Sequence, residues 1–280
     1  MNFQSTYPQY PKGNNIKGES STLGAAARRA QGSLLAAIYG PLARQWLEKH
    51  LEPMEKGQAL HLGCGSGEDT FLIASLLGGK ATLYGIDEDA AMIEAALQKK
   101  AHRSPKRVHF AQACLADWNA TRPYDFIYTR IQSSALPAPE EWLADISRNL
   151  TPGGLLFAEI IKPSGFRAYP YNHAFARTME LISRLEAAQP CEAEELPGWL
   201  EKAGFTAIEA TYASPAFIPA DCNHIASLSL ECHQAEILSC GYSNREELNA
   251  LLQELKAYEQ QGDTLISRPG VLQVQARKAS

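Results

Sequence analysis

Apolar and polar positions follow two rhythms along this 280-residue chain. Short apolar runs bounded by glycine, proline or acidic residues alternate with stretches whose apolar residues return every three or four positions. The first rhythm is that of buried strands, the second that of amphipathic helices. Strands are predicted over 59–62, 81–86, 108–113, 124–128 and 155–161, with helices over 70–77, 90–100 and 140–150 between them. Met92, Ile93, Ala96 and Leu97 share one face of the second helix, and Trp142, Leu143, Ile146 and Leu150 one face of the third. Gly78-Gly79 and Thr151-Pro152-Gly153-Gly154 act as helix stops. The strand at 155–161 is apolar nearly throughout, as a strand covered on both faces should be. Strand and helix repeated at this spacing specify an α/β fold, a parallel sheet with right-handed crossovers and helices on both faces.

The flanks are less regular. Residues 1–22 are polar and rich in Pro, Gly, Asn, Ser and Tyr, which predicts an extended arm and no secretory leader. Residues 23–51 read as an alanine- and leucine-rich helix that breaks or kinks at Gly40-Pro41. Beyond the fifth strand, helices are predicted over 172–188, 196–203, 225–239 and 243–260, and strands over 205–217 and 271–278. The chain divides accordingly into an N-terminal arm and helix (1–51), a ligand-binding core (52–165), a lid segment (166–195) and a completion of the core with a helical insertion (196–280). That insertion would serve as a lid or as a homodimer surface.

Charge and cysteine content narrow the class. The formal charge is -5, without the basic footprint of a nucleic-acid binder. The one basic run, Lys99, Lys100, Arg103, Lys106 and Arg107, reads as a solvated helix end. No apolar run is long enough to span a membrane. The six cysteines form no C-x-x-C pair, so reduced thiols and a cytoplasmic location are expected. The spacing of Cys222, His224, Cys232 and His233 matches no common zinc pattern, and no metal is expected.

The informative chemistry lies at the ends of the first two strands. Gly63-Cys64-Gly65-Ser66-Gly67 lets the backbone turn sharply and lets a ligand approach closer than side chains would permit. A nicotinamide dinucleotide fingerprint would need glycine where Glu68 stands. The spacing suits a ligand without a pyrophosphate. Asp87, ending the second strand, can accept from both hydroxyls of a ribose.

Four segments in this order resemble the motifs of class I S-adenosylmethionine (SAM)-dependent methyltransferases: Leu60-His61-Leu62-Gly63-Cys64-Gly65-Ser66-Gly67, Tyr84-Gly85-Ile86-Asp87, the run Tyr124 to Arg130, and Leu150 to Leu156. The resemblance is closest to the small-molecule branch, such as quinone-pathway and natural-product tailoring enzymes. It implies a Rossmann-like, doubly wound seven-stranded sheet closed by an antiparallel hairpin, with an N-terminal helical arm and helical lid insertions. It also implies SAM as cofactor, held by His61, Gly63, Cys64, Gly65, Ser66, Gly67, Asp87, Glu88, Cys114 and Leu115. The family usually has acids where this chain has His61 and Cys114. Neither replaces a carboxylate acceptor well. Asp117 is a substitute for the second.

The expected activity is methyl transfer to a small-molecule O, N or C acceptor by in-line displacement. The alternative is a protein of this fold that binds SAM or another ligand without methyl transfer. Candidates for the catalytic side are His173, Glu159 and His224 as bases and Arg130 as an orienting group. His173 sits in an aromatic, polar segment after the fifth strand, where a lid would lie. Tyr7 and Tyr10 in the arm offer aromatic faces to a sulfonium.

Overall fold

A computed structural model describes residues 20–113, 123–132, 139–161, 165–187, 195–213, 223–261, 263–267 and 269–280. Its elements run α1 (Ser20–His50), β1 (Gln58–Leu62), α2 (Glu68–Leu76), β2 (Thr82–Asp87), α3 (Ala90–Arg103), β3 (Val108–Gln112), β4 (Tyr124–Gln132), α4 (Pro139–Asn149) and β5 (Leu150–Ile161). They continue with β6 (Arg167–Tyr169), α5 (His173–Ala187), α6 (Leu196–Lys202), β7 (Phe205–Ala213), α7 (Ile225–Ser239), α8 (Arg245–Glu259), β8 (Leu265–Ser267) and β9 (Val271–Lys278).

Seven strands form one sheet in the order β3-β2-β1-β4-β5-β9-β7. The pairings from β3 to β5 are parallel. β9 inserts antiparallel between β5 and β7, the closing hairpin that the sequence resemblance implied. The apolar strands at the centre explain why both faces must be covered. On one face, Trp46 and Leu47 of α1 and Ile73 and Leu77 at α2 pack on Ala59, Phe126, Tyr128 and Phe157. On the other, Leu143 and Ile146 of α4 and Leu196 and Leu200 of α6 pack on Leu60, Ile127 and Leu156. A third cluster joins α1, α5, α7 and α8 through Ile38, Phe175, Leu230 and Leu255, forming a helical cap beside the sheet.

Three expectations need correction, and a fourth feature was not foreseen. α1 runs through Pro41 as one helix. Proline removes an N–H and crowds the preceding turn, but both halves of α1 are fixed by burial: Leu34, Ile38 and Tyr39 in the cap, Trp46 and Leu47 on the sheet. The Tyr39 hydroxyl adds a hydrogen bond to the Pro269 carbonyl (3.2 Å). Second, the helix stops before Thr151 as expected, but the fifth strand, expected over 155–161, begins earlier. β5 starts at Leu150, and the extra residues are absorbed by a register shift against β4 between Tyr124 and Phe126. Third, Leu97 is 45% exposed, whereas Met92, Ile93 and Ala96 are buried. Fourth, β6 and β8 pair as a separate two-stranded sheet that periodicity could not reveal, since each is three residues long.

Tyr7, Tyr10, Cys114, Leu115, Asp117 and Cys222 lie outside the described residues, as do positions 214–217 of the expected 205–217 strand. Among the described residues no helix is long and apolar enough to cross a membrane.

Because burial rather than local propensity carries α1 through Pro41, Pro41→Ala should raise stability by about 1–2 kcal/mol, the restored helix bond being partly offset by a freer unfolded chain. Urea unfolding at neutral pH measures this.

Candidate functional site

The carboxyl ends of β1, β2 and β4 open into a cleft of about 310 Å³, the place where open α/β sheets receive ligands. The glycine loop, Asp87, Arg130 and Ile131 line it from the sheet side. Gln31, Gly32, Leu35 and Ala36 of α1 line it from the opposite side, together with Met92 of α3. The α1 contribution was not foreseen. Its small residues at 32 and 36 look merely helix-compatible in a sequence.

Gly63, Gly65 and Gly67 have φ of 68°, 50° and 84°, the left-handed region that side chains disfavour. The Cys64 N–H donates to the Ile86 carbonyl and the Gly67 N–H to the Cys64 carbonyl, both at 2.9 Å. The loop is thereby tied to the end of β2. A Cβ at Gly67 would stand 2.8 Å from Phe110 Cζ, whereas one at Gly65 would meet nothing within 4 Å. Gly67 is glycine for packing. Gly65 leaves its backbone open to whatever enters the cleft.

Asp87 holds this arrangement. Its Oδ2 accepts the Gly65 N–H at 2.8 Å and its Oδ1 accepts the Asp89 N–H at 3.0 Å. Burial nevertheless pushes its carboxyl above the ordinary carboxylate range, against those two hydrogen bonds. Each oxygen retains a lone pair for a further donor. The turn it organises points Asp89, which caps α3 by accepting from Ala91 N (2.9 Å), toward the cleft. Glu88 is exposed and is not among the residues lining it.

Burial and the proximity of Asp87 raise the Cys64 thiol well above its ordinary range, so it remains protonated. Ser66 accepts from Lys99 Nζ (2.8 Å). Lys99 and Arg103 both pair with Glu68. Burial alone would raise the Glu68 carboxyl, but the two cations outweigh it and hold it low. Part of the basic run is therefore internal to the site's rim.

The remaining groups form one polar cluster. Register places Arg130 beside Glu159 and Glu159 beside Gln273 across the sheet. Arg130 Nε donates to Glu159 Oε2 and its Nη1 to Asp69 Oδ2, each at 2.8 Å, while its Nη2 donates to the Tyr128 hydroxyl at 3.0 Å. Tyr128 donates in turn to Glu159 Oε2 (2.5 Å), and Gln273 to Glu159 Oε1 (2.7 Å). The Glu159 side chain is 0% exposed, Arg130 9% and Asp69 14%. Next to them, His61 shares a 2.8 Å hydrogen bond with the Thr70 hydroxyl through Nδ1. Burial, and secondarily Arg130, lower its pKa to about 3. It is a neutral imidazole. The structure thus brings Arg130, Glu159 and His61 together. It places His173 exposed at the start of α5, outside the residues lining the cleft. Asp69 was missed, although its position just after the glycine loop was a usable signal.

Residues 54–204 match the family described as "Methyltransferase domain", more than half of the chain. The chain belongs to the methyltransferase-domain family. A trans-aconitate 2-methyltransferase of Deinococcus radiodurans is 30% identical over 164 residues, covering 58% of this chain and 54% of that protein. A namesake of Pseudomonas aeruginosa is 32% identical over 111 residues, covering 40% and 38%. The chain therefore spans about half or less of the length of these relatives. Phosphoethanolamine N-methyltransferase 2 of Haemonchus contortus, solved with S-adenosylhomocysteine, aligns with a TM-score of 0.57 at 18% identity, covering 95% of this chain and 59% of that one. At that identity the likeness is one of fold: the methyltransferase domain has the Rossmann-like sheet of class I SAM-dependent enzymes.

Two outcomes follow for this domain. Gly67→Ala should destabilise it by about 1–3 kcal/mol, through left-handed strain and contact with Phe110, as read by thermal or urea unfolding. His61 is held neutral when folded but takes a proton near pH 6.5 when unfolded. Stability is therefore fully present above the unfolded pKa and declines as pH falls from there toward the folded value. Between pH 7 and 5 the wild type should lose about 2 kcal/mol more than His61→Gln, measured by urea unfolding at both pH values.

Proposed function

We propose that this methyltransferase domain binds SAM in the cleft and transfers its methyl group to a small-molecule acceptor. The observation that carries the reading is the pairing of an unobstructed Gly65 backbone with the Asp87 carboxylate at the mouth of the parallel sheet. The residues present fit the cofactor. Asp87 offers acceptors to a ribose diol, Gly65 permits close approach, and Met92 and Ile131 supply apolar lining beside the loop. SAM supplies an electrophilic methyl on a sulfonium, which is already a good leaving group.

The chain's own task is to bind, orient and keep water out. Helix α1 lines the cleft with Leu35 and Ala36 opposite the sheet, and this apolar cover excludes water. The Arg130 cluster fixes the floor. Glu159, a candidate base, already receives hydrogen bonds from Tyr128, Arg130 and Gln273, so its role is to position Arg130. His61 is engaged with Thr70 and Glu68 with Lys99 and Arg103. With these groups committed, the site favours an acceptor that arrives with its lone pair free and needs no general base. The trans-aconitate named in the relatives is such an anion. A soluble acceptor, no nucleic acid, and action in the cytoplasm complete the proposal.

Calorimetric titration tests it. SAM should bind with a micromolar Kd while NAD gives no heat. Asp87→Ala should weaken SAM by ~10- to 100-fold, the loss of charge-assisted hydrogen bonds. NAD binding, or silence toward both, would overturn the reading.

A further inference from the structure

The strand-end position of His61 lies where the resemblance calls for an acid, yet the cleft is not short of carboxylates. Asp69, one turn into the site from the glycine loop, uses Oδ2 to hold Arg130. Among the described residues nothing engages its Oδ1. Among the described residues Arg130 in turn spends three N–H groups, on Glu159, Asp69 and Tyr128, out of five, with one further N–H on each terminal nitrogen. Both residues line the cleft. The cluster therefore presents an acceptor and donors side by side to the same space. It also carries two carboxylates against one guanidinium, and His61 is neutral beside it. A buried ionic cluster with surplus negative charge is costly. A bound ammonium would balance it.

We propose that the Asp69–Arg130 ion pair, in place of the acid absent at His61, receives the zwitterionic amino-acid end of the cofactor. Asp69 accepts from the ammonium, and the remaining Arg130 N–H groups donate to the carboxylate. This rests on the SAM reading above and assigns one half of the ligand to residues outside the family's motif. The local reason is topological. Asp69 is in the first turn of α2, so the glycine loop that turns the chain out of β1 also carries this carboxylate back over the strand end. The acid's charge is supplied from the helix rather than from the strand.

The alternative is that the pair is only a strut joining α2 to β4. Titration with two nucleosides separates the cases: S-adenosylhomocysteine carries the amino-acid end, and 5′-methylthioadenosine lacks it. Asp69→Asn should weaken S-adenosylhomocysteine by ~10-fold or more, as expected for losing a charged acceptor. It should leave 5′-methylthioadenosine within ~2-fold of wild type, as for an independent site. Retained 5′-methylthioadenosine binding also reports that the variant is folded. Asp69→Glu, which keeps the charge, should recover at least part of the S-adenosylhomocysteine affinity. Equal losses for both ligands, or none for S-adenosylhomocysteine, would overturn the assignment while leaving the cofactor reading in place. A wild type that binds neither nucleoside would overturn both.

Discussion

A guanidinium buried between two carboxylates is tolerable only if every member is held by neighbours, and the upper half of this sheet is arranged around that requirement. Arg130 lies near the end of a strand whose earlier residues, Phe126 and Tyr128, are wholly buried. The strand passes from apolar core to polar site within two turns of its pleat. Glu159 and Gln273 come alongside because β5 and β9 are in register with β4, and Asp69 comes from α2. Removing Arg130 would leave the wholly buried Glu159 without its cation. The cluster thus couples four elements: α2, β4, β5 and the antiparallel β9. That gives the inserted strand a reason to be where it is beyond completing the sheet.

Asp87 plays the corresponding part on the other side of the loop. Its carboxylate takes one N–H from the loop after β1 and another from the turn into α3, so the ends of two neighbouring strands are fixed by one side chain. Left-handed glycines make the loop conformation accessible, and Phe110 behind Gly67 keeps it from relaxing. The open side of the loop faces α1, whose continuous course through Pro41 is maintained by packing at both ends. Removal of that helix would uncover the cleft as well as part of the core.

The parallel core was legible because each of its strands is a short apolar run with a turn signal at its end, and because Asp87 follows the second run directly. Gly63, Gly65 and Gly67 were legible for the same reason: alternate glycines after a strand have few other uses. What escaped was set by tertiary contact. Pro41 is a break by local rules and is overruled by burial. β6 and β8 are too short for any period to show. Arg130 could be seen only as an orienting group, since its charged partners come from distant positions, 69 and 159, that only register and crossover bring together. Asp89 could not be picked out beside Asp87, because the turn that brings it to the cleft is organised by Asp87 itself.

Charge explains how these parts serve one ligand class. Glu68, Asp69, Asp87 and Asp89 all line the cleft, against Arg130. Glu68 is answered by Lys99 and Arg103 at the rim, and Arg130 is answered twice over inside. What remains unbalanced is negative, next to a glycine loop whose backbone is open. Such a surface repels a pyrophosphate, in agreement with the carboxylate of Glu68 standing where a dinucleotide fingerprint has glycine. It attracts a ligand bearing positive charge, and a sulfonium with an ammonium at its end is one. The attraction weakens once the methyl has left and the sulfur is neutral, so the cleft is electrostatically biased toward the methyl donor over the spent nucleoside.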